Sequence, residues 1–454
     1  MRHTVRLSLL ASVFVLNAHA ADDLAGMFEN GKVSGQFREF SISREVDDTR
    51  PAANNDYTRK ANTLGGYLKY ETAAFNGVSL GAAAYTTIGF HLGNRNDLND
   101  VDPTLLGKDN KNDIYLGEAY LQYKNGNTTF KGGRQKLDTP MAGSDDARML
   151  PNLFEAYVLS NTNVKDTTLI AAHVTKFAQG TFGRVYAATP ALGINSVLSV
   201  TSGYSLVDSR NQTGDFVDMG KYAIGENTGG VSVAAAIYSG VPGLKLQLWD
   251  YYAHDILNAI YAEANYGWSY TSGVAPYVAA QWIHESDVGS NSLAALNKVN
   301  SDFVAAKAGV KVANFDLYGA VSHNSKDADA AVNGGTISPW GGMPAYTQGM
   351  VTRHQFMAGT DAWKVAGNYN WKDFGVNLNT GVYYASFDMD GLNGYSPAGY
   401  EWTAKESGFD IIFVPESVKK LQLRLRANYT DDFYQNSTGS VSWNEYRFIA
   451  NYNF

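Results

Sequence analysis

Two arginines that stand two residues apart, in the segment LQLRLRANY of residues 421–429, have the chemistry to attract anions. In an extended strand, successive side chains point to opposite faces. The leucines of this segment would therefore line one face, and Arg424 and Arg426 would line the other. Guanidinium groups form paired hydrogen bonds with carboxylates. A basic face of this kind could bind or guide small anions.

The same alternation places further cations on the polar faces of other predicted strands. These cations are Lys69, Lys307, Lys311, Lys364 and Arg447. A column of like charges is unfavourable through mutual repulsion, so its presence suggests a use. The pattern predicts a basic track that guides anions by local electrostatics. The alternative is that lysines stand on polar faces by default.

An irregular stretch between two predicted strands carries acidic residues. It runs from Lys136 to Pro151 and contains Asp138, Asp145, Asp146 and Arg148. If this stretch folds into the interior of a barrel, it would set acids against the basic track at the narrowest point. Opposed charges of this kind orient dipolar solutes. The alternative is an ordinary exposed loop, in which acids and glycines are common.

Strands are the elements that must position these residues. Segments with a period of two recur along nearly the whole chain. Short links such as residues 125–127 alternate with long polar stretches such as residues 93–113 and 326–355. Short turns at one end and long loops at the other are typical of outer-membrane barrels. Because there is no repeat of fixed period and no low-complexity linker, we expect a single domain.

The two ends of the chain indicate export and membrane insertion. Arg2 and Arg6 precede an apolar run, and Ala18-His19-Ala20 has the small-x-small pattern of a cleavage site. Residues 1–20 are therefore predicted to be a signal peptide, which leaves residues 21–454 as one outer-membrane barrel domain. The final segment, EYRFIANYNF, alternates and ends on the aromatic Phe454. Barrel-assembly machinery recognises such an ending.

The composition predicts an all-β membrane protein rather than a helical one. No segment after the signal approaches the ~20 unbroken apolar residues that a membrane helix needs. The chain has 45 glycines, 29 tyrosines and no cysteine, which suits an apolar outer wall, aromatic rims and a wet interior. A secreted β-sandwich or propeller is the alternative on composition alone. The formal net charge of −8 argues against a nucleic-acid partner.

At this point the sequence resembles the OprD-type outer-membrane porins, which are substrate-preferring channels of Gram-negative bacteria. The resemblance lies in the segments DDARMLPNLFEAY, DAWKVAGNYNWKDFGV, LQLRLRANYTDDF and NEYRFIANYNF. It implies a transmembrane antiparallel β-barrel of eighteen strands, with sixteen as the alternative, an inward-folded third loop and an arginine-rich basic ladder.

The resemblance also implies roles for particular residues. The ladder corresponds best to Arg424, Arg426 and Arg447, and the constriction loop to the acids and the arginine of the irregular stretch. Arg134 in GGRQ is similar to a pore arginine of general porins. Strict alternation puts Arg134 on the face of Phe130, however, so a bulge at Gly132–Gly133 is needed to turn it inward.

The predicted function is a porin in the bacterial outer membrane. Small hydrophilic solutes and ions would diffuse through it passively, with a bias toward solutes that carry a carboxylate. We predict no catalysis, no cofactor and no metal. Expected contacts are outer-membrane lipid and, through Phe454, the barrel-assembly machinery, and the sequence leaves monomer and homotrimer open.

An outer-membrane hydrolase and a structural or adhesive barrel are the alternative functions. A hydrolase would need a nucleophile and a base within hydrogen-bond reach of each other. The histidines that could serve are His91, His173, His254, His284, His323 and His354.

Overall fold

The computed structural model describes residues 21–51, 56–90, 93–94, 100–182, 213–268, 273–289, 298–394 and 399–454. The predicted signal peptide, residues 1–20, and His91 lie outside these ranges.

Twenty-one strands form within the described ranges. They are β1 (Lys32–Asp48), β2 (Tyr57–Glu71), β3 (Val78–Gly89), β4 (Asp113–Asn125), β5 (Thr128–Gln135), β6 (Asp138–Thr139), β7 (Ala142–Gly143), β8 (Leu153–Asn161), β9 (Thr167–Ala178), β10 (Val217–Asp218), β11 (Val231–Tyr238), β12 (Leu244–Ala253), β13 (Leu257–Gly267), β14 (Val274–Ser286), β15 (Asn300–Val312), β16 (Phe315–Asn324), β17 (Asp361–Asn370), β18 (Leu378–Met389), β19 (Trp402–Phe413), β20 (Leu421–Asn436) and β21 (Gly439–Asn453).

Helices are few and short in the described part of the chain. Two α-helices, Leu24–Glu29 and Met219–Ile224, have six residues each. The 3₁₀ turns are Pro103–Leu105, Lys108–Asn110, Ala331–Gly334, His354–Phe356, Trp371–Phe374 and Glu416–Val418. None of the helices that the structure describes is long and apolar enough to cross a membrane.

The long strands close into an antiparallel barrel because the first strand pairs with the last, β1 with β21. Eighteen strands make up the wall, as the OprD-type resemblance implies, and the alternative of sixteen is wrong. The three shortest strands are not part of this count: β6 and β7 form a small hairpin inside a loop, and β10 adds two residues beside β9. Closure pairs the edges that an open sheet would leave exposed.

Alternation along the strands separates an outer apolar face from an inner polar one. Leu425 and Phe448 are neighbours in register and both are exposed on the outside. The next pair in register, Arg426 and Arg447, points inward. A charge on the lipid side would cost about 2–4 kcal/mol at the bilayer midplane. Because Arg426 and Arg447 face the lumen, they avoid this cost although their strands carry apolar side chains on the opposite face.

Connections at one end of the barrel are short, and most of those at the other end are long. Two connections at the second end, residues 254–256 and 437–438, are as short as turns. The predicted pattern of short turns and long loops therefore holds with two exceptions.

Two long loops fold into the barrel and pack against each other. The first, residues 136–152, is the predicted inward loop, and we refer to it as the constriction loop. The second, residues 325–360, is the second inner loop, which the sequence did not predict to turn inward. Their backbones meet where the Met343 amide donates to the Pro140 carbonyl at 2.6 Å.

Inward carboxylates hold the second inner loop to the wall. Glu285 of β14 accepts the Ile337 amide at 2.7 Å, and Glu406 of β19 accepts the Thr352 amide at 2.7 Å. The Met350 amide donates to Glu406 as well. Each of these hydrogen bonds satisfies a backbone N–H group of the loop, which would be costly to bury unpaired. These contacts narrow the lumen.

Candidate functional site

Arg424 and Arg426 face the lumen from β20 and share one carboxylate, Asp410 of β19. Arg424 donates from Nε to Asp410 at 2.8 Å, and Arg426 Nε lies 3.3 Å from the same carboxylate. Arg426 and Asp410 are direct neighbours in register. Both arginines are partly exposed. Two cations beside one anion leave a positive charge on this part of the wall.

Arg447 belongs to a different arrangement, centred on Glu445 of the same strand. Glu445 lies 2.6 Å from Arg44 Nη2, 2.7 Å from Arg148 Nη2 and 3.0 Å from Arg447 Nε. All four side chains are buried. We call them the Glu445 cluster. Arg148 comes from the constriction loop, so the cluster ties that loop to the wall where β21 meets β1.

The lysines of β15 and β17 lie among tyrosine rings. Lys307 Nζ is 4.5 Å from the ring centre of Tyr346, and Lys364 Nζ is 4.6 Å from that of Tyr383. Lys307 and Lys364 stand opposite the same residue of β16, Ala320. The faces of aromatic rings attract cations. The two predicted track lysines therefore come together on one stretch of wall.

Lys311 and Lys69 have carboxylates beside them. Lys311 Nζ is 3.7 Å from Asp316, and Lys69 Nζ is 3.3 Å from Glu118. Both lysines stand at lumen-facing positions, as alternation predicts. Lys69 lies far around the wall from Lys311, on β2 rather than β15, so the predicted track is not one continuous column.

Arg134 does not join the other predicted track residues, and this part of the prediction is corrected. Its side chain lies 3.8 Å from Glu155 and 4.3 Å from the ring centre of Phe216. Gly133 has a positive φ of 123°, but the pairing of β5 with both neighbours shows no register shift. Because alternation is kept, Lys131 points to the lumen instead.

The acids of the constriction loop each have partners close by. Asp146 lies 2.7 Å from Arg38 Nη1 and 3.1 Å from Lys136 Nζ. Burial alone would raise the pKa of Asp146, but these two cations lower it to about 2. Asp146 therefore stays ionised as an anchor of the loop to β1.

The other two loop acids are bound within and between the inner loops. Asp145 accepts the Gly342 amide at 3.2 Å and lies 3.6 Å from Arg353 of the second inner loop. Burial raises the pKa of Asp145 despite that arginine. Asp138 accepts the Ser144 amide at 3.2 Å. The sequence suggested an electric field across the lumen, between these acids and the basic track. Because the acids have partners within the loops, this field is weaker than unpaired acids would produce.

Several residues that the sequence did not predict are part of the site. Arg38 and Arg44 on β1, Asp410 on β19 and Lys131 on β5 all face the interior. Alternation through GQFREFSISREV would have placed both β1 arginines on one face. No local pattern marks Asp410 as the partner of β20, because that pairing is decided by the sheet register.

A serine and two histidines come together near one end of the barrel. Ser232 Oγ lies 3.0 Å from His254 Nε2 and 3.2 Å from His173 Nδ1. The inward residues of β11 on either side are Val231 and Val233, so Ser232 points outward. The described ranges place no carboxylate in hydrogen-bond contact with either histidine, so this group lacks the third member of a catalytic triad.

Two aspartate–histidine pairs form elsewhere, without a serine. His284 lies 3.0 Å from Asp302, and His323 lies 2.8 Å from Asp361. The segment GVSLG, residues 77–81, has the spacing of a nucleophile elbow, but its serine lies in an antiparallel strand rather than at a strand-to-helix turn. Among the described residues, no three histidine, aspartate or glutamate side chains are placed to share a metal ion.

The sequence of the chain has a match among known families. Residues 25–183 match the family described as outer membrane porin, OprD family. The OprD resemblance is confirmed. This OprD-type segment spans β1 to β9 and includes the constriction loop. A search of curated protein sequences finds no match.

Solved structures of Pseudomonas aeruginosa proteins share the fold. OpdK, solved with vanillate, has a TM-score of 0.71 at 15% identity and covers 94% of this chain and 100% of its own. OccK9 (OpdG) has a TM-score of 0.70 at 17% identity, with the same coverage. OccK2 (OpdF), solved in complex with glucuronate, has a TM-score of 0.69 at 15% identity and covers 94% and 99%. At these identities the likeness establishes the OprD-type barrel fold.

The location of the protein follows from the family match and the fold together. An eighteen-stranded barrel with an apolar outer face is an integral outer-membrane structure, as the sequence predicts. The matched family is one of outer membrane porins.

Proposed function

We propose that this protein is an outer-membrane porin through which small hydrophilic solutes diffuse passively, with a preference for solutes that carry a carboxylate. The observation that carries the proposal is the set of cations facing the interior of a closed barrel that two inner loops narrow. The proposed track consists of Arg424, Arg426, Lys364, Lys307, Lys311 and Lys69. Cations along a narrow aqueous path raise the local concentration of anions.

The comparisons support this choice of solute. Two of the similar channels were solved with vanillate and with glucuronate, and both compounds are carboxylates. We assign Arg447 and Arg148 to holding the loop rather than to contacting solute, because both are buried in the Glu445 cluster.

We also propose that residues 21–454 form one barrel domain, that residues 1–20 are its signal peptide, and that Phe454 serves recognition by the assembly machinery. A channel rather than a hydrolase is proposed because the Ser232 group faces outward and, within the described ranges, no carboxylate is in hydrogen-bond contact with its histidines. The matched family supports the same choice.

The test is single-channel current and reversal potential of the purified protein in a planar bilayer under a salt gradient. Arg424→Ala/Arg426→Ala should shift ion preference toward cations, because Asp410 is left without its two cations. Arg424→Lys/Arg426→Lys keeps the charge and is the matched control, for which little shift is expected. Absence of conductance in the unmodified protein would overturn the proposal.

A further inference from the structure

The Ser232 group lies on the outer wall of the barrel, near the end that carries the long loops. His173 is on β9, Ser232 is on β11, and His254 is in the short connection that follows β12. All three residues are partly exposed. Ser232 and His173 are direct neighbours in register, on the face opposite to the inward valines of β11. The proposed solute path therefore does not use this group.

The two imidazole rings present one nitrogen each to the same point. Ser232 Oγ lies 3.0 Å from Nε2 of His254 and 3.2 Å from Nδ1 of His173. The two ring centres are 6.1 Å apart. A metal ion at about 2.0–2.1 Å from one nitrogen of each ring would hold the ring centres roughly 5–6.5 Å apart, because each centre lies just behind its nitrogen. The spacing of the rings therefore suits a shared ion.

Neighbouring backbone and one tyrosine hold the two rings in place. The His254 amide donates to the Gly230 carbonyl at 3.0 Å, and the ring of Tyr252 meets that of His254 edge to face, with centres 4.9 Å apart. A Cβ at Gly229 would lie 3.1 Å from His254 Cγ, and one at Gly230 would lie 3.4 Å from His173 Nε2. Both rings thus pack against glycine backbone. Ligands that are already positioned lose less conformational entropy on binding.

The chemistry of the group selects the kind of ion. Imidazole nitrogen suits Zn²⁺, Cu²⁺ and Ni²⁺, whereas Mg²⁺ and Ca²⁺ take oxygen ligands, chiefly carboxylates. Within the described ranges, no carboxylate is in hydrogen-bond contact with His173 or His254. Among these divalent ions, Cu²⁺ binds nitrogen sites most tightly. Two protein ligands leave further coordination positions for water, which can reach a partly exposed group.

Two other histidines provide a contrast. His284 Nδ1 lies 3.0 Å from Asp302, and His323 Nδ1 lies 2.8 Å from Asp361. Each of these pairs offers one imidazole and one carboxylate rather than two imidazoles. Since late transition-metal ions favour nitrogen ligands, these pairs should bind Cu²⁺ more weakly.

We propose that His173 and His254 bind one divalent transition-metal ion, Cu²⁺ or Zn²⁺, on the outer wall of the barrel. Nδ1 of His173 and Nε2 of His254 are the ligands from the chain, and water completes the coordination. The Ser232 hydroxyl turns to another staggered rotamer and leaves the space to the ion. The ion joins β9 to the end of β12 across β11. This site is independent of the proposed channel function.

The first measurement is electron paramagnetic resonance of the purified, untagged protein in detergent with one equivalent of Cu²⁺. The spectrum should show one bound ion with nitrogen couplings from two imidazoles. His173→Gln and His254→Gln should each remove one of these couplings. Each should also raise the Kd at least about tenfold, since loss even of a group that orients a ligand costs that much.

His284→Gln is the matched control and should keep both the spectrum and the Kd. A spectrum with a single imidazole in the unmodified protein would overturn the proposal. Unchanged binding in both His173→Gln and His254→Gln would overturn it as well. Circular dichroism of each variant verifies that the barrel is folded, so that lost binding is not lost structure.

Ser232→Ala tests whether the hydroxyl is needed. We expect this variant to keep the couplings from two imidazoles, because the hydroxyl stands between the nitrogens without being a ligand. Loss of both couplings in Ser232→Ala would overturn the assignment of the ion to the two histidines alone.

The proposed link between β9 and β12 is tested by stability with Zn²⁺. A ligand that binds only the folded state stabilises it, so Zn²⁺ should raise the urea midpoint of the unmodified protein in lipid vesicles. In His254→Gln the midpoint should not move. An equal rise in both proteins would place the ion elsewhere. Conductance should be the same with and without Zn²⁺, so the metal site and the channel can each fail alone.

Discussion

The Glu445 cluster and the lysines of β15 and β17 both present cations on the inner face, but their surroundings differ. Arg44, Arg148 and Arg447 have 3%, 0% and 1% of their side chains exposed, and all three contact Glu445. Lys311 has 31% exposed. The difference separates cations that are buried and hold a loop to the wall from cations that stay partly exposed on the inner face.

The chemistry of the two cations explains the division. Arginine presents several donors in a rigid plane, so it suits a buried site in which three guanidinium groups meet one carboxylate. Lysine carries a point charge on a flexible stem, and here it rests against tyrosine rings. A solute can approach a lysine of this kind without breaking a buried ion pair.

The largest expected effect comes from Glu445→Gln. This change leaves three buried arginines without their common carboxylate, and breaking a buried ion pair costs about 3–5 kcal/mol. The free energy of unfolding, measured by urea titration in lipid vesicles, should fall by this amount. Glu445→Asp retains the charge and should lose less. If Glu445→Gln is as stable as the unmodified protein, the Glu445 cluster does not anchor the loop, and its arginines do not differ in role from the lysines of β15 and β17.

A smaller effect is expected from Arg148→Met, which frees the constriction loop but leaves Glu445 with two arginines. We expect a loss of about 1–3 kcal/mol, the cost of removing a buried hydrogen-bond partner. Because the loop is no longer tied at this point, the open-channel current should become noisier. Lys136→Met removes a cation at the exposed side of the same loop and serves as the comparison. If the current of Arg148→Met is as quiet as that of the unmodified protein, the Arg38–Asp146 contact is sufficient to hold the constriction loop in place.

The lysine side of the comparison is tested by Lys307→Gln/Lys364→Gln. Both lysines lie outside the buried cluster, but Lys364 donates to the Gln348 carbonyl of the second inner loop at 2.6 Å, so the free energy of unfolding should fall by about 1 kcal/mol, less than for Glu445→Gln. The reversal potential under a salt gradient should move toward cations. A large loss of stability with unaltered ion preference would mean that these lysines hold the structure together, as the arginines of the Glu445 cluster do.

The smallest effect concerns pH and the contact between the inner loops. Burial raises the pKa of Asp145, so this residue becomes neutral at a higher pH than an ordinary aspartate, whereas Asp146 stays charged until the pH approaches about 2. A raised pKa means that the folded state favours the neutral form, so acidification through this step should not destabilise the barrel.

We expect anion preference to rise as the pH is lowered toward the ordinary pKa of aspartate, since Asp145 beside Arg353 is protonated at a higher pH than an ordinary aspartate. Reversal potentials at several pH values measure the change. In Asp145→Asn the rise should be smaller, and an identical pH profile in this variant would assign the effect to other lumen acids.

Much of the candidate site could be predicted from alternation, and the remainder depended on pairing between distant strands. Arg424, Arg426, Lys307, Lys311 and Lys364 occupy the inward positions that the period of two predicts. Arg134 was wrong as a track residue because Gly133 takes up its unusual backbone angle without shifting the register.

The sequence by itself determined the class of fold, the strand number that its resemblance implied, and the side of each strand that faces water. It could do so because the bilayer forces every spanning strand to alternate and to satisfy its backbone in a closed sheet. The tertiary structure alone decided which inward charges meet. Glu445 and Arg44 are far apart in sequence, and Arg148 reaches them from a loop, so no local pattern could show that these arginines anchor the loop while others face the lumen.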